Sequence, residues 1–212
     1  MSEKKGRREL NRVENRNAIL RAAIQLFGIH GFGATTVRDI IRQTDLAAGT
    51  FYNYFSNKEE VFRAVVNEVG DSLRTQLRAA RNQASSFEEF IAGSFRIYFT
   101  YYAKHPDIFM MLRSNQTYNG SLIAMEDHQA RTGLHELRAD VAAAMDAGVI
   151  PEQDIDYLTA AIGGVAFSLV AEMMNRRPVD PEQAVQFATR LFLNGMSDFK
   201  TVPAPNLKKK AL

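Results

Sequence analysis

The chain has 212 residues, of which 46% are hydrophobic, and its formal net charge is only +2. This composition allows a sizeable buried core, and the absence of cysteine excludes disulfides, thiolate zinc sites and cysteine nucleophiles. No run approaches 18 consecutive apolar residues and the basic N-terminus leads into no apolar run, so we expect neither a membrane-spanning helix nor a secretion signal.

The positive charge is concentrated at the N-terminus. Residues 1–21 hold seven lysines and arginines against three glutamates. Charge of this kind suits a phosphate backbone or an anionic membrane surface. A second basic run, Lys208 to Lys210, lies in a proline-containing tail, residues 201–212, which we expect to be disordered.

The first two predicted helices are short and well delimited. Apolar residues recur at helical spacing from Asn11 to His30, and Gly31 is expected to end this helix. Thr36 and Asp39 then have the spacing of a capping box, which predicts a second helix to about residue 44.

A third helix is predicted over about residues 47–54, after a tight turn at Asp45. Ser56 and Glu59 form a second capping box, which opens a long helix towards Arg81. Two short helices joined by a brief turn have the layout of a helix-turn-helix.

The remaining sequence predicts further helices and no strands. Their expected bounds are about 85–104, 106–113, 122–147, 152–176 and 180–199, with a polar loop over 115–121. The predicted fold is therefore all-α with about nine helices. A DNA-binding domain with a basic N-terminal arm is expected over residues 1–60, and a helical bundle for ligand binding and dimerisation over 61–200.

The helix-turn-helix region resembles the TetR family of transcriptional regulators. The resemblance rests on ATTVRDII at residues 34–41, GTFYNYF at 49–55 and NKEEVF at 57–62, with the preceding helix at 19–27, and it covers residues 16–62. It implies a cytoplasmic homodimer that binds double-stranded DNA at a palindromic operator. It also implies repression, which a small molecule bound inside the C-terminal bundle relieves.

The candidate DNA-binding residues lie on the third helix and at two helix N-termini. They are Thr36, Ala48, Gly49, Thr50, Tyr52, Asn53, Tyr54 and Lys58. Small residues permit close approach to the major groove, hydroxyl and amide groups bond phosphates or base edges, and helix N-termini attract phosphate. Many family members carry a basic or hydroxyl residue where this chain has Ala47 and Ala48, so phosphate contacts are expected to contribute more of the affinity. Phe51 and Phe55 are expected to be core anchors.

Aromatic and methionine residues are dense in the second domain. The candidate ligand-binding residues are Tyr98, Phe99, Tyr102, Phe109, Met111, Asn115 and Phe167. Such clusters line adaptable apolar cavities, so we expect an apolar or amphipathic effector, for example a lipid-like or aromatic acid. The alternative is a filled core without a cavity.

Two later helices carry small-residue and apolar stripes. The first holds Ala160, Ala161, Gly163, Gly164 and Ala166, and the second holds Ala184, Phe187, Ala188, Leu191, Phe192 and Gly195. Glycine inside a soluble helix costs about 1 kcal/mol relative to alanine, so close packing is expected there. A four-helix dimer interface and an intramolecular core both explain the stripes.

Two other classes of function, a helical enzyme and a membrane-surface scaffold, are alternatives to a regulator. A helical enzyme lacks support, because the four histidines (His30, His105, His128 and His135) do not have metal-site spacing and no phosphate loop or nucleophile motif occurs. We therefore expect no metal or cofactor and no catalysis. A membrane-surface scaffold would explain the basic N-terminus but not the capped helix-turn-helix, so no membrane partner is expected.

Overall fold

The computed structural model describes residues 2–115 and 132–195, and every regular element in these two ranges is an α-helix. The helices are α1 (Ser2–Ala34), α2 (Val37–Arg42), α3 (Ala48–Tyr52), α4 (Lys58–Gln83), α5 (Phe87–Lys104), α6 (Pro106–Ser114), α7 (Thr132–Asp146), α8 (Ile155–Asn175) and α9 (Pro181–Asn194). The all-α prediction is confirmed. The expected loop after residue 115, the start of the 122–147 helix, His128 and the basic tail lie outside the described residues.

Helix α1 begins earlier than the sequence pattern indicates. The basic arm, expected to precede the helix at Asn11, is itself helical from Ser2. Lysine, arginine, glutamate and leucine all favour helix, and they dominate residues 3–10. At the other end, Gly31 interrupts the helix with φ 79° and ψ 161°, a conformation in which glycine avoids the steric cost of a side chain, and a final turn continues to Ala34.

The N-terminal caps fix where the later helices start. The capping box of α2 is confirmed: Asp39 N–H donates to the Thr36 hydroxyl, and Thr36 N–H donates to the Asp39 carboxylate. Helix α4 is capped by Asn57, one residue after Ser56. Helix α5 is capped by Ser86, one residue after Ser85. The prediction of Ser56 as the cap of α4 is therefore wrong.

A continuous hydrophobic core runs from α1 to α9 through the described residues. Helix α6 packs on α1, and α5 lies between α4 and α9, so the helix-turn-helix region is joined to the bundle by α4 and α6. Phe51 and Phe55 are both buried in this core, as predicted, and their ring centres are 6.2 Å apart.

We predict no membrane-spanning helix because the sequence has no long unbroken apolar run. Helix α8 departs from that prediction. By length and composition it could cross a membrane, with 21 residues and a mean hydropathy of 1.5 over its most apolar window. A core helix of a soluble protein passes the same test. Only 33% of that window is buried within the described parts of the chain, and the exposed positions of α8 are small or polar residues apart from Tyr157.

Candidate functional site

The exposed surface of α3 is held from behind by buried phenylalanines. Phe51 is fully buried, whereas the neighbouring Tyr52 is 61% exposed and rests edge-on against the Phe51 ring at 5.4 Å. Ala48, Gly49 and Asn53 are also exposed, and a Cβ added at Gly49 would meet no atom within 4 Å. The helix therefore presents a smooth, small-residue surface with one aromatic side chain projecting from it.

The remaining candidates on this side of the molecule differ in exposure. Thr50 and Tyr54 are half-buried, and helix α3 ends at Tyr52, so Tyr54 lies just beyond the helix that was expected to contain it. Thr36 is exposed, and its hydroxyl donates to the Asp39 carboxylate at 2.6 Å. That hydrogen bond, together with the one from the Thr36 backbone, lowers the pKa of Asp39. The carboxylate therefore stays ionised and holds the start of α2 in place.

The Lys58 side chain bonds carbonyl groups of the protein, whereas the sequence predicts that it binds a DNA phosphate. Its ammonium donates to the carbonyl oxygens of Phe32 and Thr35, each at 2.7 Å, and lies 4.4 Å from the centre of the Phe32 ring. The side chain thus satisfies carbonyl groups at the end of α1 and ties them to the start of α4. Contacts within the protein therefore account for the position of Lys58.

We expect Lys58→Met to lower the free energy of unfolding by about 1–3 kcal/mol, because two carbonyls lose their charged donor. The salt dependence of DNA binding should keep its slope, since the ammonium is already engaged. Urea unfolding and a salt titration of DNA binding measure the two effects, with Arg63→Met, at an exposed cation of the same helix, as the stability control. Unchanged stability combined with a slope shallower by about one would instead indicate a phosphate contact.

A cavity of about 530 Å³ lies in the helical bundle. Its described walls come from α4, α5, α7 and α8, with Leu112 from α6. Most of the lining is apolar, which is typical of small-molecule sites. Seven lining residues belong to α4, from Val66 to Arg81, so a molecule in the cavity would touch the helix that begins beside the helix-turn-helix region.

One wall of the cavity carries four charged side chains. Arg81 Nη1 lies 2.9 Å from Asp140 Oδ2, and Arg81 Nε donates to the Ser94 hydroxyl at 3.1 Å. Arg74 Nε lies 3.1 Å from Glu136 Oε1. Burial lowers the pKa of Arg81, and Asp140 opposes that shift, but an arginine remains cationic in proteins. Two ion pairs therefore join α4 to α7 along the cavity.

The phenols of Tyr98 and Tyr102 add neutral polar groups to the cavity. Their ring centres are 4.8 Å apart. Burial raises the pKa of Tyr98 to about 12 and raises that of Tyr102 well above its usual value. Both hydroxyls therefore keep their protons near neutral pH and can take part in hydrogen bonds as donors or acceptors.

The structure brings together three of the seven candidate ligand residues. Tyr98, Tyr102 and Phe167 line the cavity. Phe99, Phe109 and Met111 are fully buried and do not line it, so they pack behind the wall. The sequence interpretation missed the charged wall, because arginines and acids on separate helices resemble an ordinary solvated surface until the helices are packed together.

Asn115 also lies away from the cavity, contrary to its predicted role as a polar contact for the ligand. Phe32 N–H donates to its Oδ1 at 2.5 Å, and its Nδ2 donates to the carbonyl oxygens of Phe27 at 3.0 Å and Met111 at 2.6 Å. The side chain is buried and joins the end of α6 to both sides of the Gly31 break in α1. It is a structural link between the bundle and the helix-turn-helix region.

We expect Asn115→Ala to lower the free energy of unfolding by about 2–3 kcal/mol, because it leaves buried backbone groups without their partners. Asn175→Ala, at an exposed position near the end of α8, is the matched control and should change stability little. Equilibrium unfolding in urea measures both. Equal effects of the two substitutions would contradict the linking role.

The outer faces of α8 and α9 are partly uncovered. Tyr157 on α8 is 80% exposed, and Phe187 and Leu193 on α9 are 40% and 36% exposed. The two central glycines of α8 differ: a Cβ at Gly163 would lie 2.8 Å from Leu134 of α7, whereas one at Gly164 would meet no atom within 4 Å. The packing reason expected for the glycines is therefore intramolecular for Gly163, whereas Gly164 lines the cavity and packs against no other atom there.

The helix-turn-helix region matches a known family model. Residues 19–65 match the model described as bacterial regulatory proteins of the tetR family. The chain is also 38% identical, over 78 residues, to the HTH-type transcriptional repressor ComR of Escherichia coli strain K12. That match spans 37% of this chain and only 35% of the length of the repressor.

Solved structures share the fold over most of the chain. The fatty acid degradation regulator FadR from Bacillus halodurans has a TM-score of 0.75 and 22% identity, covering 86% of this chain and 96% of that one. FadR from Bacillus subtilis, solved in complex with stearoyl-CoA, has a TM-score of 0.68 and 19% identity, covering 84% and 97% respectively. The arrangement of the bundle relative to the helix-turn-helix is therefore one found in solved transcriptional regulators.

Proposed function

We propose that the chain is a member of the tetR family of bacterial regulatory proteins, whose model matches residues 19–65, and that it is a ligand-responsive transcriptional repressor. It binds a palindromic operator as a homodimer and is released by a small, mainly apolar molecule. In this proposal, residues 1–60 read the DNA and residues 61–200 sense the ligand and dimerise. The DNA contacts come from Thr36, Ala48, Gly49, Thr50, Tyr52, Asn53 and Tyr54.

Helix α4 is the observation that carries this proposal. Its first residue, Lys58, bonds the end of α1 beside the helix-turn-helix, and seven of its later residues line the cavity. A ligand that prefers one position of α4 would therefore change the position of the DNA-binding surface. By linkage, ligand and operator weaken the binding of each other by the same factor, commonly about 5–150-fold.

An apolar ligand is supported by the lining of the cavity and by a protein of similar fold. The Bacillus subtilis regulator was solved with stearoyl-CoA, whose acyl chain is long and apolar. The homodimer is supported by the exposed Tyr157 of α8 and the partly exposed Phe187 and Leu193 of α9, which two copies would bury together in a four-helix interface. Proteins of this kind work in the cytoplasm, where their DNA lies, and we place this chain there.

The test begins with selection of duplex DNA from a random pool, followed by footprinting and sedimentation. We expect a dimer on two half-sites whose centres are about 34–36 Å, or a multiple of that spacing, apart. Tyr52→Ala should weaken binding by about 1–3 kcal/mol, the range of a good base contact, with little loss of stability because the side chain is 61% exposed. Tyr52→Phe separates the hydroxyl from the ring.

A monomer at micromolar concentration, or a footprint on one asymmetric half-site, would contradict the dimeric model. Failure to select any DNA would overturn the proposed function as a whole.

A further inference from the structure

The charged wall of the cavity is electrically balanced. Among the described lining residues, the charged side chains are Arg74, Arg81, Glu136 and Asp140, and each arginine is paired with one of the acids. Arg81 and Asp140 are themselves 8% and 7% exposed, so their pairing is shielded from water. A ligand therefore meets a polar wall of zero net charge.

We infer that the cavity takes an uncharged, mainly apolar molecule with a hydroxyl or carbonyl group, and selects against acids. This inference rests on the proposed function and names the ligand class of the same site. It replaces the lipid-like or aromatic acid that the sequence suggested with a neutral ligand. The Tyr98–Tyr102 pair and the ion-paired wall recognise the polar end, while Phe95, Leu137 and Phe167 contact the apolar body.

Binding of an acid in this cavity carries a desolvation cost that a neutral ligand does not have. Moving a carboxylate out of water costs several kcal/mol unless a cation pairs with it. Both guanidinium groups already have a carboxylate partner. A bound acid would either displace Asp140 or Glu136 from its arginine, or share the guanidinium with that carboxylate and give the wall a net negative charge.

A hydroxyl or carbonyl can bind without breaking either pair. A guanidinium has five N–H donors, and the contacts of Arg81 with Asp140 and Ser94 use its Nη1 and Nε atoms. A ligand carbonyl can accept from another N–H of Arg81. A ligand hydroxyl can donate to the wall carboxylates or exchange hydrogen bonds with the neutral phenols. Each of these interactions leaves the net charge of the wall at zero.

The test compares neutral and acidic probes of the same shape. Dodecanol is matched with dodecanoate, and naphthol with naphthoate, all below their aggregation concentrations. Binding is measured by calorimetry and by the shift in Tm, and release of the selected operator is followed in parallel. We expect at least one alcohol to bind about tenfold or more tightly than its acid, a difference of about 1.4 kcal/mol, and to release DNA.

Asp140→Asn supplies the converse test. It removes the partner charge of Arg81 and gives the wall a net positive charge, so affinity for the matching acid should rise about tenfold. Glu136→Gln also gives the wall a net positive charge, while Arg74 keeps its exposed partner Asp71, and it serves if Asp140→Asn does not fold. The control is Asp156→Asn, which breaks the exposed Arg138–Asp156 pair and should leave the ratio of acid to alcohol affinity unchanged.

The outcomes separate the inference from the proposed function. Tighter binding of an acid than of its alcohol by the unmodified protein, with release of DNA, overturns the inference and supports ligand-controlled repression. Binding of neither pair, with DNA binding intact, overturns the inference together with the sensing part of the proposed function. A preference for the alcohol that is lost or reversed in Asp140→Asn or Glu136→Gln supports the inference.

Discussion

Phe109→Ala is expected to lower the free energy of unfolding by about 3–5 kcal/mol, the range for truncating a buried phenylalanine. The Phe109 side chain is fully buried, and its ring centre lies 5.5 Å from that of Tyr102 and 5.1 Å from that of Phe167. It supports both cavity residues from behind without lining the cavity. Equilibrium unfolding in urea measures the loss.

The matched variant for Phe109→Ala is Tyr98→Phe, which removes only a hydroxyl from the cavity wall. We expect it to change the response to a neutral ligand more than it changes stability. Phe109→Ala should change stability more than it changes the response to the ligand, when that response is measured at a lower temperature at which the variant is folded. A loss of less than about 1 kcal/mol for Phe109→Ala would mean that the site collapses freely or that the ring is not part of the core.

Arg81→Met is expected to lower the free energy of unfolding by about 3–5 kcal/mol, because it leaves Asp140 buried without its cation. The Asp140 side chain is 7% exposed and faces Arg81 at 2.9 Å. The exposed counterpart is Arg138→Met, whose partner Asp156 is 74% exposed. Breaking such a surface pair should cost no more than about 1 kcal/mol.

A double variant distinguishes the value of the ion pair from the penalty of an uncompensated charge. Arg81→Met combined with Asp140→Leu should recover most of the stability lost in Arg81→Met alone, since both charges are then absent. The four proteins form a double-mutant cycle, read by urea unfolding. An additive result, with no recovery, would show that Arg81 and Asp140 stabilise the fold independently.

The helix-turn-helix was predictable because its signals are local. The Thr36–Asp39 capping box and the Phe51–Phe55 spacing each lie within five residues, and both have the predicted roles. The error at the start of α4 is of the same local kind. Asn57 and Ser56 are both good caps, and Asn57 takes the position because its side chain accepts from Glu60 N–H at 2.8 Å.

The cavity was only partly predictable because its walls are assembled from distant segments. Arg81 and Asp140 are 59 residues apart, and neither differs in its local pattern from an exposed charged residue. Asn115 presents the opposite difficulty. A polar residue after an aromatic-rich helix is a reasonable ligand contact, but its true partners are backbone atoms 83 and 88 residues earlier.

The partners of Asn115 bear on how chimeric regulators can be built from this chain. In the helix-turn-helix region, this side chain bonds the backbone N–H of Phe32 and the backbone carbonyl of Phe27. A transplanted N-terminal segment can therefore preserve both bonds whatever side chains it carries at those positions. What the segment must keep is the backbone conformation, because Gly31, with φ 79°, brings the two backbone groups together. A donor segment with glycine at that position keeps the connection, and one with a β-branched residue there does not.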